Sequence, residues 1–257
     1  MNKNRYFLEI IYKGTAYHGW QIQKNAVSVQ EILNKALKTF LREDIETVGC
    51  GRTDTGVHAK QFFAHFDSSD SELVTQDSRF IKSLNGLLPY DIAVKRIIPV
   101  HADAHARFDA TMRSYEYQIH LEKDPFKYGY SWLLRDLPDL EVMNQAAGIL
   151  SEYHDFSCFS KSHTQTFTNN CTISKAEWVN TGDGIVFHIS ADRFLRNMVR
   201  AIVGTLIRIG HHEITPEEIR QIIESKNRSN AGTSVPAAGL YLTRIKYPYI
   251  NDGEGSW

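Results

Sequence analysis

The sequence contains no apolar run long enough to cross a lipid bilayer and no signal-peptide pattern at its start. It also has few cysteines, and the three present are an odd number without the spacing of a metal site. These absences argue against a membrane-spanning chain and against a secreted domain held by disulfides, because such domains are rich in paired cysteines. We therefore expect a cytoplasmic protein with free thiols.

An excess of charge of one sign is also missing. The 29 Lys and Arg residues are balanced by 30 Asp and Glu residues, which gives a net charge of −1. Many nucleic-acid-binding proteins are basic, so the total charge does not favour a nucleic acid as the partner. Local clusters matter more than the sum, because the field at a phosphate comes from the nearest cations. Two such clusters occur, at 107–113 and 193–200.

Common metal and nucleotide motifs are absent as well. His101 and His105 are four residues apart, but no HExxH or CxxC pattern supplies the further ligands that zinc needs. The glycines form neither a Rossmann fingerprint nor a P-loop. The sequence therefore predicts no bound metal and no cofactor.

The order of predicted elements indicates the fold. With 42% hydrophobic residues, the 257-residue chain can form a substantial core. Strand, helix, strands, helix and strand follow one another twice along the chain. This order predicts an α/β (α+β) fold of two similar halves with mixed, mainly antiparallel sheets. We place the N-terminal half at 1–105, the C-terminal half at 106–250 and a short tail at 251–257.

Three local patterns are specific enough to predict individual elements. Ser28, with Glu31 three residues later, is typical of a helix N-terminus. Two strand-like segments, Thr172–Asn180 and Ile185–Ser190, predict a hairpin across a Gly-containing turn. The strongest apolar periodicity predicts a long helix from Asp192 to Ile209.

The segment from Gly51 to His58 reads Gly-Arg-Thr-Asp-Thr-Gly-Val-His and sets a carboxylate beside a guanidinium in a short turn. A nearby cation lowers the pKa of a carboxyl group, so Arg52 can keep Asp54 ionised and oriented. An ionised carboxylate can act as a nucleophile or as a general base. A surface turn with a local ion pair would show the same pattern.

Two further regions combine cations with apolar or aromatic residues. Arg193, Arg196 and Arg200 lie beside the apolar face of the predicted helix, which fits either a solvated basic face or a phosphate-binding edge. Upstream, cations alternate with aromatic residues near a strand start, at Arg107, Arg113 and Tyr115 among others. Such a block can stack bases and hold phosphates, but it also fits a strand whose tyrosines pack in the core.

Several of these segments resemble one family. The segment from Gly51 to His58 is similar to the catalytic loop of the TruA-type tRNA pseudouridine synthases, which reads Gly-Arg-Thr-Asp-x-Gly-Val-His. Shorter matches to other blocks of that family occur at Tyr17–Gln21, Ser28–Glu31, Ala106–Tyr117, Arg196–Gly204 and Ala237–Leu242. Thr55 departs from the alanine that many members carry, but it is small, so we expect no loss of activity. The resemblance extends from about Tyr6 to Tyr247.

The resemblance implies roles for individual residues. Asp54 would be the catalytic carboxylate, with Arg200 paired to it and Arg52 in support. Tyr115 would stack on the target base, and Leu240 would line the uracil pocket. Further RNA contacts are inferred, beyond the family motifs, for Arg193, Arg196, Arg107 and Arg113.

The resemblance also implies an activity and partners. The reaction would be isomerisation of uridine to pseudouridine at positions thirty-eight to forty of the tRNA anticodon stem-loop, without metal or cofactor. The fold would be pseudouridine synthase-like, with the active-site cleft between the halves. The enzyme would be a homodimer in which one tRNA contacts both subunits.

Two other classes of function fit parts of the sequence. A non-catalytic RNA-binding protein with two RRM-like halves would use the same basic and aromatic blocks, but it would gain nothing from Asp54 among phosphates. A carboxylate-dependent hydrolase of nucleosides or glycosides usually needs two carboxylates that flank the bond, and only Asp54 lies in a candidate loop.

Overall fold

The computed structural model describes residues 3–71, 73, 77–161 and 167–250. The predicted tail at 251–257 lies outside these residues. The described chain forms two compact units. The first contains the residues up to Thr111 together with those from Leu242 onward, and the second runs from Met112 to Tyr241.

These units differ from the predicted division in that the end of the described chain returns to the first unit. The hydroxyl of Tyr247 donates a hydrogen bond to the carbonyl of Ala106 at 2.5 Å. The amide of Thr111 donates to the carbonyl of Lys246 at 2.9 Å. Alternating apolar residues predict a strand, but they do not tell which sheet the strand joins. The return of the chain was therefore not visible in the sequence.

The first unit is a sheet with two helices. Its elements are β1 (Asn4–Tyr12), α1 (Val29–Leu41), β2 (Val48–Gly49), β3 (His58–Ser68), α2 (Asp77–Leu87), β4 (Ile92–Val100) and, from Leu242 onward, β9 (Leu240–Lys246). The strand order is β4-β1-β3-β9, and β2 pairs with β3. Strand β1 is antiparallel to both β3 and β4. The central position of β1 explains why residues on both of its faces are buried.

Helix α1 begins where the sequence predicts. The Ser28 hydroxyl accepts a hydrogen bond from the amide of Glu31 at 3.3 Å, which satisfies one of the unpaired donors of the first turn. The helix buries Val29, Leu33 and Leu37 on one face. It ends at Arg42, whose backbone is left-handed with φ of 55°.

The second unit has a similar composition of elements. These are β5 (Met112–His120), β6 (Trp132–Leu133), α3 (Leu140–Ile149), β7 (Ile173–Asn180), β8 (Gly184–Ala191), α4 (Met198–Gly210) and α5 (Glu218–Glu224). Strand β8 is antiparallel to both β5 and β7, and β6 adds to β5 in parallel. The predicted hairpin is confirmed, with the amide of Thr181 bonded to the carbonyl of Gly184 at 2.9 Å.

The predicted start of the long helix is wrong. Helix α4 begins at Met198, because Asn197 before it has φ of 67° and a left-handed residue cannot continue a helix. Upstream, the carboxylate of Asp192 accepts from the amides of Thr172 and Arg193, both at 2.7 Å. These bonds hold the segment between β8 and α4 beside the start of β7, so that this segment does not form a helical turn. Arg193 and Arg196 therefore do not lie on the helix.

The α/β (α+β) fold with mainly antiparallel pairing is confirmed. Within the described residues, no helix is both long and apolar enough to span a membrane.

Candidate active site

Asp54 lies in the loop that connects β2 to β3. The loop leaves the sheet at Cys50, whose amide donates to the carbonyl of Phe63 at 2.8 Å. Asp54 is half-buried, and Arg52 is exposed. The loop turns back at Gly56, which has φ of 82°, and the amide of Val57 donates to the carbonyl of Asp54 at 3.2 Å. This geometry presents the carboxylate on a tight turn at the start of a buried strand.

Two glycines of the segment that follows β1 touch the loop on either side of Asp54. A Cβ atom added to Gly19 would lie 2.2 Å from the carbonyl oxygen of Thr53, and Gly19 has φ of 82°. A Cβ atom added to Gly14 would lie 1.9 Å from the carbonyl oxygen of Val57. Any side chain at these two positions would displace the loop, so glycine is required by contact.

Hydrogen bonds fix the same contact. The Gly14 amide donates to Nδ1 of buried His58 at 3.1 Å, so His58 is the acceptor at that nitrogen. The amide of Gly56 donates to the carbonyl of Tyr17 at 3.3 Å. The Tyr17 hydroxyl donates to Asp91 at 2.5 Å, and burial raises the pKa of this tyrosine. The segment is thereby tied to the loop and to the start of β4.

Sequence reasoning missed these positioning residues. The match to a family block at Tyr17–Gln21 was the signal that could have pointed to them. It did not show that the block packs on the Asp54 loop, because the two are about 35 residues apart in the chain.

In the second unit, Tyr115 lies on the first half of β5. Its ring is half-buried and packs edge-on against Phe194, with 5.1 Å between the ring centroids. The Arg113 guanidinium donates to the backbone carbonyl of Asp192 at 2.8 Å. Tyr115 and Arg113 are therefore both packed against the irregular segment that precedes α4.

Arg200 lies in the first turn of α4 and is bonded to the segment before Leu240. Its Nε donates to the carbonyl of Val235 at 2.7 Å, and the Val235 amide donates back to the carbonyl of Arg200 at 3.3 Å. The next carbonyl, that of Pro236, accepts from the hydroxyl of buried Tyr117 at 2.7 Å. The pKa of Tyr117 is raised by its burial, and the positive charge of Arg200 offsets only part of that rise.

Leu240 completes this arrangement. It is buried, and the glycine before it leaves no room for a side chain: a Cβ atom on Gly239 would lie 2.8 Å from the ring of Tyr117. Tyr117 and Tyr115 are two residues apart and so lie on the same face of β5. The bonds of Val235 and Pro236 and the contact of Gly239 with Tyr117 thus bring Arg200 and the residue before Leu240 close to β5, the strand that carries Tyr115.

The predicted RNA-contact arginines are divided between the two units. Arg193 is half-buried and Arg196 is exposed, both on the segment before α4. Arg107 belongs to the first unit, where it is exposed and its guanidinium lies 5.7 Å from the ring centroid of Phe108. Within the described ranges, no group of three or more His, Cys, Asp and Glu residues is arranged to hold a metal ion.

Comparisons with known proteins extend over almost the whole chain. A family model described as tRNA pseudouridine synthase matches residues 152–248. A protein of Bacteroides fragilis named tRNA pseudouridine synthase A is 50% identical over 249 residues, which is 96% of this chain and 98% of the relative. Its namesake in Bacteroides thetaiotaomicron is 52% identical over 95% of this chain and 91% of the relative. The one in Clostridium acetobutylicum is 37% identical over 93% and 98%.

Proposed function

This chain belongs to the tRNA pseudouridine synthase A family and is therefore an isomerase that acts on uridine in tRNA, and we propose that Asp54 is the carboxylate that carries out the reaction. The observation that carries the proposal is the position of Asp54. Its loop is in contact with Gly14 and Gly19 on either side and is bonded through His58, so the backbone that carries the carboxylate is held in place. Preorganisation of this kind is what a reacting group needs.

The reaction exchanges one bond for another. The N1–C1′ glycosidic bond of uridine breaks, the uracil turns, and C5 bonds to C1′. The C5 proton is released and N1 gains a proton, so the step needs no oxidant, metal or external energy. Asp54 can attack C1′ or remove the 2′ proton, and both routes place an anion beside an electron-poor sugar carbon.

The other predicted residues have roles that fit their surroundings. Arg200 pairs with Asp54 and orients it; the bond from its Nε to Val235 supports this role because it fixes the guanidinium plane. Arg52 lies two residues before Asp54 in the same loop and supports it there. Tyr115 stacks on the target uracil, and Leu240 provides an apolar wall to its pocket. The contact of Gly239, the residue before Leu240, with Tyr117 on the strand of Tyr115 supports this assignment.

We propose that the target lies at positions thirty-eight to forty of the anticodon stem-loop. The target base must leave the helical stack before it can reach the half-buried Asp54, which costs about a few kcal/mol and is easiest near a loop. Arg107, Arg113, Arg193 and Arg196 then contact the RNA backbone. The proposed assembly is a homodimer in the cytoplasm, where each tRNA contacts both subunits.

The alternative of a non-catalytic RNA-binding protein is not favoured, because the full-length relatives are named as synthases. A protein that only binds RNA would also not need the contacts that position the Asp54 loop.

Tritium release from tRNA labelled at uridine C5 tests the proposal, because C5 loses its hydrogen when it becomes the glycosidic carbon. We expect Asp54→Asn to abolish release while tRNA binding is kept. The matched control is Asp136→Asn, which makes the same change at an exposed position of the second unit and should leave release unaltered. Normal release by Asp54→Asn would refute the assignment of the carboxylate.

A further inference from the structure

The loop at 121–131, which connects β5 to β6, is held in one shape by its own bonds. Its start is closed by Asp124, whose carboxylate accepts from the amide of Phe126 at 2.8 Å. Its end is closed by Ser131, whose hydroxyl lies 2.6 Å from Nδ1 of His120. This loop is called the aromatic loop below. The first bond forms a local turn inside the loop, and the second joins the residues at its two ends.

Bonds from outside the loop hold its centre. Lys127 forms an ion pair with Asp183 of the hairpin turn between β7 and β8. The carbonyl of Tyr130 accepts from the hydroxyl of Tyr241 at 2.6 Å. These attachments restrain the backbone at the centre of the loop.

The aromatic loop nevertheless presents two aromatic side chains to solvent. Phe126 is 90% exposed and Tyr128 is 86% exposed. Exposed aromatic rings contribute nothing to the stability of the fold, because the hydrophobic gain requires removal of apolar area from water. A rigid loop that holds two such rings outward is therefore suited to an external ligand.

The available area identifies the kind of ligand. Two aromatic side chains can bury about 300–500 Å² in total. A stable interface with a second protein copy needs about 800 Å² on each partner. Unpaired bases of a nucleic acid match this area much better than a protein does. Each aromatic ring can stack on the face of one base, whichever base it is. Lys123 and Glu122 are both exposed in the same loop, so the two rings and not a net charge would carry the contact.

The position of the loop shows which part of the RNA it can reach. Tyr115 lies on β5, and the loop begins after His120, five residues further along the same strand. At about 3.4 Å per residue, the loop begins about 17 Å from Tyr115, which is several nucleotides away. We propose that Phe126 and Tyr128 form a stacking platform for unpaired bases of the tRNA substrate, separate from the pocket of the target uridine. The proposal rests on the proposed function of this chain.

The test compares tRNA binding and tRNA turnover. We expect the double variant Phe126→Ser, Tyr128→Ser to bind tRNA at least about tenfold more weakly, with an equal increase in KM and an unchanged kcat at saturating tRNA. Tyr90→Ser is the matched control, because Tyr90 is a fully exposed aromatic residue of the first unit. It should bind as the native chain does. Equal tRNA affinity of native and double-variant chains would overturn the platform.

A second pair of variants separates stacking from simple apolar contact. Phe126→Trp keeps a large ring and should retain native affinity, whereas Phe126→Leu keeps the apolar character without a stacking face and should lose it. Equal affinities of these two would overturn the stacking proposal.

Two further measurements distinguish other failures. Sedimentation of the double variant reports the oligomeric state, and a loss of dimer in the variant would assign the loop to contact between copies instead of RNA. If the native chain binds tRNA but releases no tritium, the proposed function fails, while the binding comparison still decides the platform.

Discussion

The hydroxyl oxygen of Tyr12, at the end of β1, lies 3.0 Å from Oγ1 of Thr53, the residue before Asp54. Strand β1 is paired on both sides, to β3 and to β4, so Tyr12 has little freedom to move. The bond therefore transfers the rigidity of the sheet to the loop that carries the proposed catalytic carboxylate.

Removal of this bond should slow the reaction with little effect on the fold. A hydrogen bond of this type contributes about 1 kcal/mol, so Tyr12→Phe should lower kcat roughly fivefold and leave KM nearly unchanged. Steady-state tritium release measures both constants. Tyr6→Phe is the control, since its hydroxyl donates to Asp70 at 2.8 Å, away from the loop. A drop of the same size in both variants would show that the loss is general.

His58 should act through its acceptor atom. His58→Leu leaves the buried Gly14 amide without a partner, which costs about 1–3 kcal/mol, and we expect kcat to fall about tenfold or more. His58→Asn places an amide oxygen near the position of Nδ1 and should restore most of the rate. If the two variants are equally impaired, the bond to Gly14 does not position the loop.

Gly19 should be intolerant of any side chain. Gly19→Ala adds a backbone cost of about 1 kcal/mol at positive φ, and its Cβ meets the carbonyl of Thr53 at 2.2 Å, so the Asp54 loop must move. We expect kcat to drop well beyond tenfold. Gly182→Ala has the same type of backbone, with φ of 88°, but no atom within 4 Å of the added Cβ. It should lose stability only, and melting temperature together with kcat separates the two effects.

Stability should fall in mild acid because of His65. This residue is buried beside Phe7 and His105 and accepts from the amide of Ala106, and burial lowers its pKa from 6.5 to about 4. The unfolded chain therefore binds a proton between these pH values while the folded chain does not. The stabilisation is complete above about pH 6.5 and decreases toward pH 4, by up to about 3 kcal/mol.

Urea unfolding across that pH range measures the loss. His65→Asn keeps an acceptor for Ala106 but cannot titrate, so its stability should depend less on pH between 4 and 6.5. The buried ring is lost in that variant, so the slope and not the absolute stability is the readout. An unchanged slope would assign the pH dependence to other groups.

Local patterns predicted the elements whose signals are themselves local. Ser28 caps α1 as expected because an N-cap acts on the amide three residues later. The β7–β8 hairpin was equally visible, since its turn and both strands are contiguous. The loop motif around Asp54 pointed to a site by its residue types alone, and its role stays a prediction.

Other features depend on contacts between distant parts of the chain. Apolar periodicity continues upstream of α4, but the left-handed backbone of Asn197 ends the helix there, and one sequence does not show φ angles. The need for glycine at Gly14 and Gly19 comes from contact with the loop after β2. The grouping of Arg200 and Leu240 comes from the bonds of Val235 and Pro236.

The return of the chain to its first unit has a consequence for biosynthesis. Strand β9 lies next to β3, and Tyr247 is bonded to Ala106, so residues that are made after the second unit complete the first unit. The continuous segment at 112–241 is available to fold as a unit before then. During translation, the unit that carries Asp54 therefore cannot complete its sheet until residues 242–250 have left the ribosome.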